Sequence, residues 1–153
     1  MENINRIHET LTSEEKVSEM QNGANWFFWI AALSAVSSIV AVYDSNLLYS
    51  LGFGVNRLVE GATLGYIGQG WPPETIWVGA AVNILIALVV VGFGYYARKG
   101  SDMAFMAGMF LYVVDTMVIL GFRDYFGFLF HLLALFFLFK GLLGSRKRFD
   151  PSV

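Results

Sequence analysis

The sequence lacks cysteine and has few charged residues, and these two absences narrow the classes of protein that it can encode. None of its 153 residues is Cys, which excludes disulfide scaffolds, thiolate metal sites and cysteine nucleophiles. Charged residues make up only 14% of the chain, whereas soluble domains have about 25%. Because the formal net charge is −2, we expect no nucleic-acid partner.

Several motifs that carry chemistry are also missing. The chain has two His residues, and because His8 lies in a polar segment, haem bound by two His side chains is not expected. The sequence contains no phosphate-binding P-loop, no complete dinucleotide-binding glycine motif, no nucleophile elbow and no HExxH zinc motif. We therefore predict no metal, no cofactor and no catalytic residue of these classes.

What the chain has instead is long apolar segments. Hydrophobic residues make up 56% of it, and the mean hydropathy is +0.58. A helix needs about 20 mostly apolar residues to cross a hydrocarbon core of roughly 30 Å, where it satisfies its own backbone polar groups. Four segments meet this length, at residues 26–43, 75–97, 103–122 and 125–144. The sequence therefore predicts an integral membrane protein whose surroundings are lipid.

The basic residues indicate how these spans are oriented, because short cytoplasmic loops are enriched in Lys and Arg. Of the ten Lys and Arg residues, only Arg57 and Arg123 fall on the side away from the termini if the chain crosses four times. We therefore predict that both termini are cytoplasmic.

The polar ends of the chain complete a three-part organisation. Residues 1–23 are predicted to form a cytoplasmic tail, in which Thr12 and Glu15 fit a capping box at the start of a short helix. That helix is expected to end at Asn22 and Gly23. Residues 24–144 form the transmembrane domain, and residues 145–153 form a second, basic cytoplasmic tail.

The predicted outer segment at residues 44–74 is long for a connection, so it should carry structure of its own. Apolar residues recur there at helical spacing and polar residues take the other faces, which predicts an amphipathic helix lying on the outer interface as a lid. Glycines at positions 61, 65, 68 and 70 predict a flexible return after it. A segment that re-enters the membrane is the alternative. The apolar positions are Leu47, Leu51, Val55, Leu58 and Ala62.

Each span also carries one stripe of small or polar residues at spacings that keep them on a single helix face. Small residues allow membrane helices to approach closely, so the stripes are expected to face inward. The predicted fold is an all-α membrane protein with four transmembrane helices in an up-and-down bundle and an outer amphipathic helix. The predicted helix-packing residues are Gly79, Gly94, Gly108, Gly127, Ala134 and Gly141.

Polar residues of all four spans fall at one depth. Asp115 lies eight residues before Arg123 and His131 lies eight residues after it, so an antiparallel hairpin places both about 12 Å below the outer end. An ionised carboxylate in hydrocarbon must be paired, hydrated or protonated, which predicts that Asp115 and His131 are partners. The full predicted cluster is Asp115, His131, Asn83, Ser34, Ser38 and Tyr112.

One part of the chain resembles known proteins. Residues 100–141 are similar to the C-terminal hairpin of small four-span membrane proteins of bacteria, a group without a characterised activity. The resemblance implies placement in the bacterial inner membrane. The residues that carry it are Gly108, Tyr112, Asp115, Asp124, His131 and Gly141.

Three functions are compatible with these features. The leading hypothesis is a non-catalytic accessory or scaffold subunit of a membrane assembly, or a homo-oligomer, in which Asp115 and His131 form a structural clamp. The alternative is a small proton-linked transporter or ligand-binding membrane protein that uses the same polar layer. The third is a membrane enzyme with His131 as a base and Asp115 as the group that orients it.

Overall fold

The computed structural model of this chain describes residues 2–43 and 53–149. These residues form five α-helices and contain no β-strand. The helices are α1 (Glu2–Tyr43), α2 (Gly54–Gly68), α3 (Thr75–Arg98), α4 (Asp102–Gly121) and α5 (Tyr125–Phe149).

Within the described residues, four of these helices are long and apolar enough to cross a membrane, namely α1, α3, α4 and α5. In the bundle, α1 packs against α3 and α5, and α4 packs against the same two helices from the other side. The chain is therefore a multi-pass all-α membrane protein, and the predicted fold class is confirmed. We call the end with the α3–α4 turn the Arg98 end and the end with the α4–α5 turn the Arg123 end.

The N-terminal region differs from its prediction. The expected break at Asn22 and Gly23 is wrong, because α1 runs without interruption for 42 residues. Gly23 instead lies where α1 crosses α5, and a Cβ atom added to it would lie 2.3 Å from Cα of Gly141. Likewise, α5 continues to Phe149 through part of the predicted basic tail, and Ser145 is buried. Gly23 therefore allows α1 to cross α5 closely and does not end a helix.

The segment between the first two spans also differs from its prediction. Gly61, Gly65 and Gly68 lie within α2 and not in a flexible return, while the predicted positions Leu47 and Leu51 lie outside the described residues. The helix does not begin on the surface as an interfacial lid. Phe53, directly before it, is buried, and its ring lies 5.8 Å from that of Tyr112 in the middle of α4. The buried start of α2 fits the alternative prediction better, namely a segment that re-enters the membrane.

The small residues lie where helices cross. A Cβ atom at Gly108 would lie 2.5 Å from the Phe27 ring, and one at Gly94 would lie 3.0 Å from Cβ of the same phenylalanine. Ala134 is fully buried. A Cβ atom at Gly79 would lie 2.5 Å from Oγ1 of Thr63 in α2.

Gly127 has a different neighbour from the other small residues. A Cβ atom there would lie 2.8 Å from Oδ2 of Asp124. This carboxylate belongs to the start of the same helix, so the close approach at Gly127 is a local helix-start contact and not a helix crossing.

Candidate functional site

The central feature of the bundle is a buried pair of ionisable side chains from two antiparallel helices. Nε2 of His131 in α5 lies 3.0 Å from Oδ2 of Asp115 in α4. The two residues are only 1% and 4% exposed. The structure thus brings together the two residues that lie equally far from the Arg123 turn.

Asp115 has two further partners that sequence reasoning missed. The backbone N–H of Gly54 donates to Oδ2 at 3.0 Å, and the backbone N–H of Val55 donates to Oδ1 at 2.8 Å. These are the first amides of α2, which have no partner inside their own helix. A carboxylate of α4 therefore caps the N-terminus of α2, where the helix dipole also favours a negative charge.

The glycine at the start of α2 permits this approach. A Cβ atom at Gly54 would lie 3.0 Å from the backbone oxygen of Asp115 and 3.0 Å from Cβ of Val118. No side chain marks the two amide donors, so the sequence carries no signal for this contact.

Both ring nitrogens of His131 make hydrogen bonds. Nδ1 lies 2.7 Å from the carbonyl oxygen of Gly127, and because a carbonyl oxygen only accepts, Nδ1 donates. Nε2 forms its hydrogen bond with the Asp115 carboxyl group. The Tyr112 ring stacks on the imidazole at a centroid distance of 4.8 Å.

Ser34 and Ser38 of α1 belong to a second group and not to the pair. The Nδ2 amide of Asn56 in α2 donates to Oγ of Ser34 at 2.7 Å and lies 3.0 Å from Oγ of Ser38. Asn56 is one of the polar residues of the segment predicted to form an interfacial helix, so its role in the bundle is not expected from the sequence. The first turn of α2 is thus held by α4 on one side and by α1 on the other.

Asn83 of α3 is not brought into either group. It is fully buried, yet its amide nitrogen and oxygen have no hydrogen-bond partner among residues 2–43 and 53–149. In the same part of the chain, Oδ1 of Asn56 is also without a partner. Buried polar atoms are bonded to protein or to ordered water in the great majority of cases, so these three atoms are exceptional.

An ion pair lies above the polar layer, at the Arg123 end. Arg57 of α2 binds the carboxylate of Asp124, and the guanidinium also lies 5.8 Å from the centroid of the Phe122 ring. Asp124 is the N-cap of α5, because its Oδ1 accepts the backbone N–H of Gly127 at 2.9 Å. The helix-start role of Asp124 is readable from the sequence, whereas its bond to Arg57 is not.

Two cavities flank the polar layer. The first has a volume of about 330 Å³ and lies at the Arg123 end, between α1, α2 and α3; we call it the Glu60 cavity after the acid in its wall. The second has a volume of about 240 Å³ and adjoins Asp115, and its other walls are apolar apart from the Tyr112 hydroxyl. His131 lines neither of the two.

The surroundings of the pair do not resemble a metal centre. Among the described residues, no group of three or more His, Asp or Glu side chains is placed to hold a metal ion.

Comparison of the chain with protein-family models, with curated proteins and with solved structures finds no match. The geometry of the site is therefore the basis for a functional proposal.

Proposed function

We propose that this chain is a non-catalytic module of a membrane assembly, acting as an accessory or scaffold subunit or as a homo-oligomer. The observation that carries the proposal is the set of contacts of Asp115, whose carboxyl group is hydrogen-bonded to His131 and accepts from two amides of α2. Every one of these bonds joins one helix to another. The polar layer thus serves to hold a re-entrant helix in a fixed position within the bundle.

The state of His131 supports a structural role over a catalytic one. A general base needs a free lone pair directed at the proton that it removes. Both ring nitrogens of His131 are already hydrogen-bonded, to Gly127 and to Asp115. The buried imidazole therefore offers no nitrogen to a substrate.

The surface of α2 supports contact with another chain. Leu58 is 50% exposed and Tyr66 is 49% exposed on α2, whose first turn lies inside the bundle. Exposed apolar residues rimmed by polar ones are typical of interaction sites. By fixing the start of α2, Asp115 also fixes where this surface lies.

The assembly is testable by native mass spectrometry of the full chain, extracted from its own membrane in mild detergent. We expect a species heavier than one 17.1 kDa chain, either a multiple of that mass or a complex with another protein. The variants Leu58→Ser and Tyr66→Ser are expected to release the single chain. Leu85→Ser is the control, because Leu85 is also an exposed leucine, at 62%, but lies on α3. Single chains in every sample would overturn the proposal.

We also propose that the protein lies in a bacterial inner membrane with both termini in the cytoplasm. The distribution of basic residues supports this orientation, with only Arg57 and Arg123 at the opposite end. C-terminal fusions to one reporter that is active only in the cytoplasm and to one that is active only outside it provide the test. An active external reporter would contradict the orientation.

The alternative, a small proton-linked transporter that uses Asp115 and His131, is favoured by one observation, the cavity that adjoins Asp115. Proton flux into liposomes that contain the purified protein would test it. Flux that is lost in Asp115→Asn but retained in the exposed-acid variant Glu74→Gln would support the transporter. No flux above that of empty liposomes would leave the structural role as the better account.

A further inference from the structure

The Glu60 cavity has the form of a small-molecule site. Its volume of about 330 Å³ falls within the range of roughly 300–1,000 Å³ typical of ligand pockets. Three helices and the end of α4 form its walls, and Gly61 on one wall is exposed, so the cavity is open to the exterior. Most of the lining is apolar. The polar lining residues on which the argument depends are Ser38, Arg57, Glu60 and Thr63.

The charges in this wall are not balanced. Among the described residues, the one guanidinium of this wall serves two acids, because Arg57 binds Asp124 and also acts on Glu60, so one negative charge is in excess. Within the described residues, Glu60 has no hydrogen bond and no ion pair of its own. Burial raises the pKa of the Glu60 carboxyl group, and the nearby charge of Arg57 opposes that shift. A half-buried carboxylate in an apolar wall gains most from a cation that brings its own apolar surface.

The polar residues beneath the cavity give a second, independent indication that its ligand is a hydrogen-bond donor. Asn56 lies one helical turn before Glu60, and its amide is bonded to Ser38, which lines the cavity. Asn83 lies one turn below Gly79 on the same face of α3, and Gly79 also lines it. Oδ1 of Asn56 and Oδ1 of Asn83 have no partner within the described residues, and although neither residue lines the cavity itself, both oxygens are acceptors that an N–H donor would satisfy through ordered water.

We propose that the Glu60 cavity binds a small organic ammonium ion, with its charged nitrogen against the Glu60 carboxylate and its apolar part against the walls. This site is separate from the Asp115–His131 pair, and the proposal does not depend on the structural function argued above. An ammonium ion matches the excess negative charge, the apolar lining and the acceptors beneath the cavity. A neutral molecule of the same shape matches only the lining.

The first test compares two probes on the unaltered full chain in lipid nanodiscs by isothermal titration calorimetry. 2-Phenylethylammonium is expected to bind saturably, and 2-phenylethanol, the neutral analogue of similar shape, is expected to bind at least about tenfold more weakly. Titration into empty nanodiscs corrects for partition into lipid. Equal binding of the two probes, or no saturable binding of the ammonium ion, would overturn the proposal.

The second test uses matched variants. Glu60→Gln removes the charge and is expected to weaken binding of 2-phenylethylammonium by about tenfold or more. Gly61→Leu adds a bulky apolar side chain at a residue that lines the cavity and is expected to weaken binding by about tenfold or more, and a Cβ atom at Gly61 has no heavy atom within 4 Å with which to clash. Glu74→Gln and Gly65→Leu are the controls, because Gly65 is equally open but lies outside the cavity lining.

Normal binding in both test variants would overturn the proposal, and so would loss of binding in the two controls. Thermal unfolding of each variant identifies any protein that has not folded. If a variant does not fold, the comparison of the ammonium ion with the alcohol still decides, because it uses only the unaltered protein.

Discussion

The two halves of the bundle are held together in different ways. Toward the Arg98 end, helices meet backbone to backbone at Gly23 and Gly141, and the rings of Phe27 and Phe105 fill the space beside them. Toward the Arg123 end, α2 enters the bundle, and its first turn is held by hydrogen bonds from two other helices. The first half is closed by shape, whereas the second is closed by polar contacts and contains the Glu60 cavity.

The difference follows from where helix ends lie. A helix that crosses the membrane uses all its interior backbone groups itself, so small residues and good packing suffice to join it to a neighbour. A helix that begins inside the bundle presents amides that need acceptors. Asp115 supplies those acceptors for α2, so a buried acid is present where the chain re-enters.

The largest effect is expected from removing the acid that holds α2. Asp115→Leu leaves Nε2 of His131 and the amides of Gly54 and Val55 without a partner, which should cost about 3–5 kcal/mol of stability. His131→Leu should cost less, because Asp115 keeps its two amide donors. Thermal unfolding of the purified protein in detergent measures both.

The double variant of Asp115 and His131 sharpens this test. The stability lost in the double variant should be smaller than the sum of the losses in the two single variants, because no imidazole is left without its partner. Stability should still fall short of the unaltered protein, since the two α2 amides remain unpaired. Strict additivity would contradict the Asp115–His131 pair, and a larger cost for His131→Leu than for Asp115→Leu would contradict the assignment of Asp115 as the cap of α2.

The next largest effect is expected toward the Arg98 end, where the bundle is held together by close packing. Gly23→Ala places a methyl group 2.3 Å from Cα of Gly141, and relieving that clash forces α1 and α5 apart, which should cost about 1–3 kcal/mol. Gly92→Ala is the control, because a Cβ atom there has no neighbour within 4 Å and alanine is the better helix former. Equal unfolding temperatures for the two variants would show that the crossing is not tight.

A smaller effect is expected at the start of α2. Gly54→Ala brings a methyl group to 3.0 Å from the Asp115 carbonyl oxygen, so the first turn must shift by a few tenths of an ångström, at a cost of about 1 kcal/mol. Hydrogen exchange followed by mass spectrometry should show faster exchange in residues 54–68 and no change in α5. Gly61→Ala, with open space at its Cβ position, should leave exchange unchanged. Unaltered exchange in Gly54→Ala would argue against the cap.

The smallest effect is a dependence on pH at the Glu60 cavity. Burial raises the folded-state pKa of Glu60 above its usual value of 4.5. The contribution of this group to stability is therefore present below about pH 4.5 and is lost as the pH rises through the raised pKa. Glu60→Gln should match the unaltered protein at low pH and become the more stable of the two as the pH rises. Parallel unfolding curves at every pH would contradict this, with Glu74→Gln as the matched control.

The sequence contains enough to predict the spans and the depth of the central pair. Uninterrupted apolar length defines a membrane helix with little dependence on its neighbours. The short turn at Arg123 makes α4 and α5 antiparallel, so equal distances along the chain place Asp115 and His131 at equal depth. Both inferences need only local geometry.

The remaining features depend on contacts between distant residues. Gly23 resembles a helix terminator in the sequence, and only the presence of Gly141 opposite it makes it a crossing point. The donors that hold α2 to Asp115 are backbone amides, which every residue except proline has, so no residue type marks them. Asn56 has the polarity of an exposed helix face, and its burial depends on α1 lying alongside.

The cap on α2 also has a consequence for the order in which the chain assembles. Gly54 and its acceptor Asp115 are 61 residues apart in the sequence, and synthesis proceeds from the N-terminus. When α2 leaves the ribosome, the carboxylate that will receive its first amides has not yet been made. The second helix of the chain is therefore among the last to reach its final position, after the hairpin of α4 and α5 has entered the membrane.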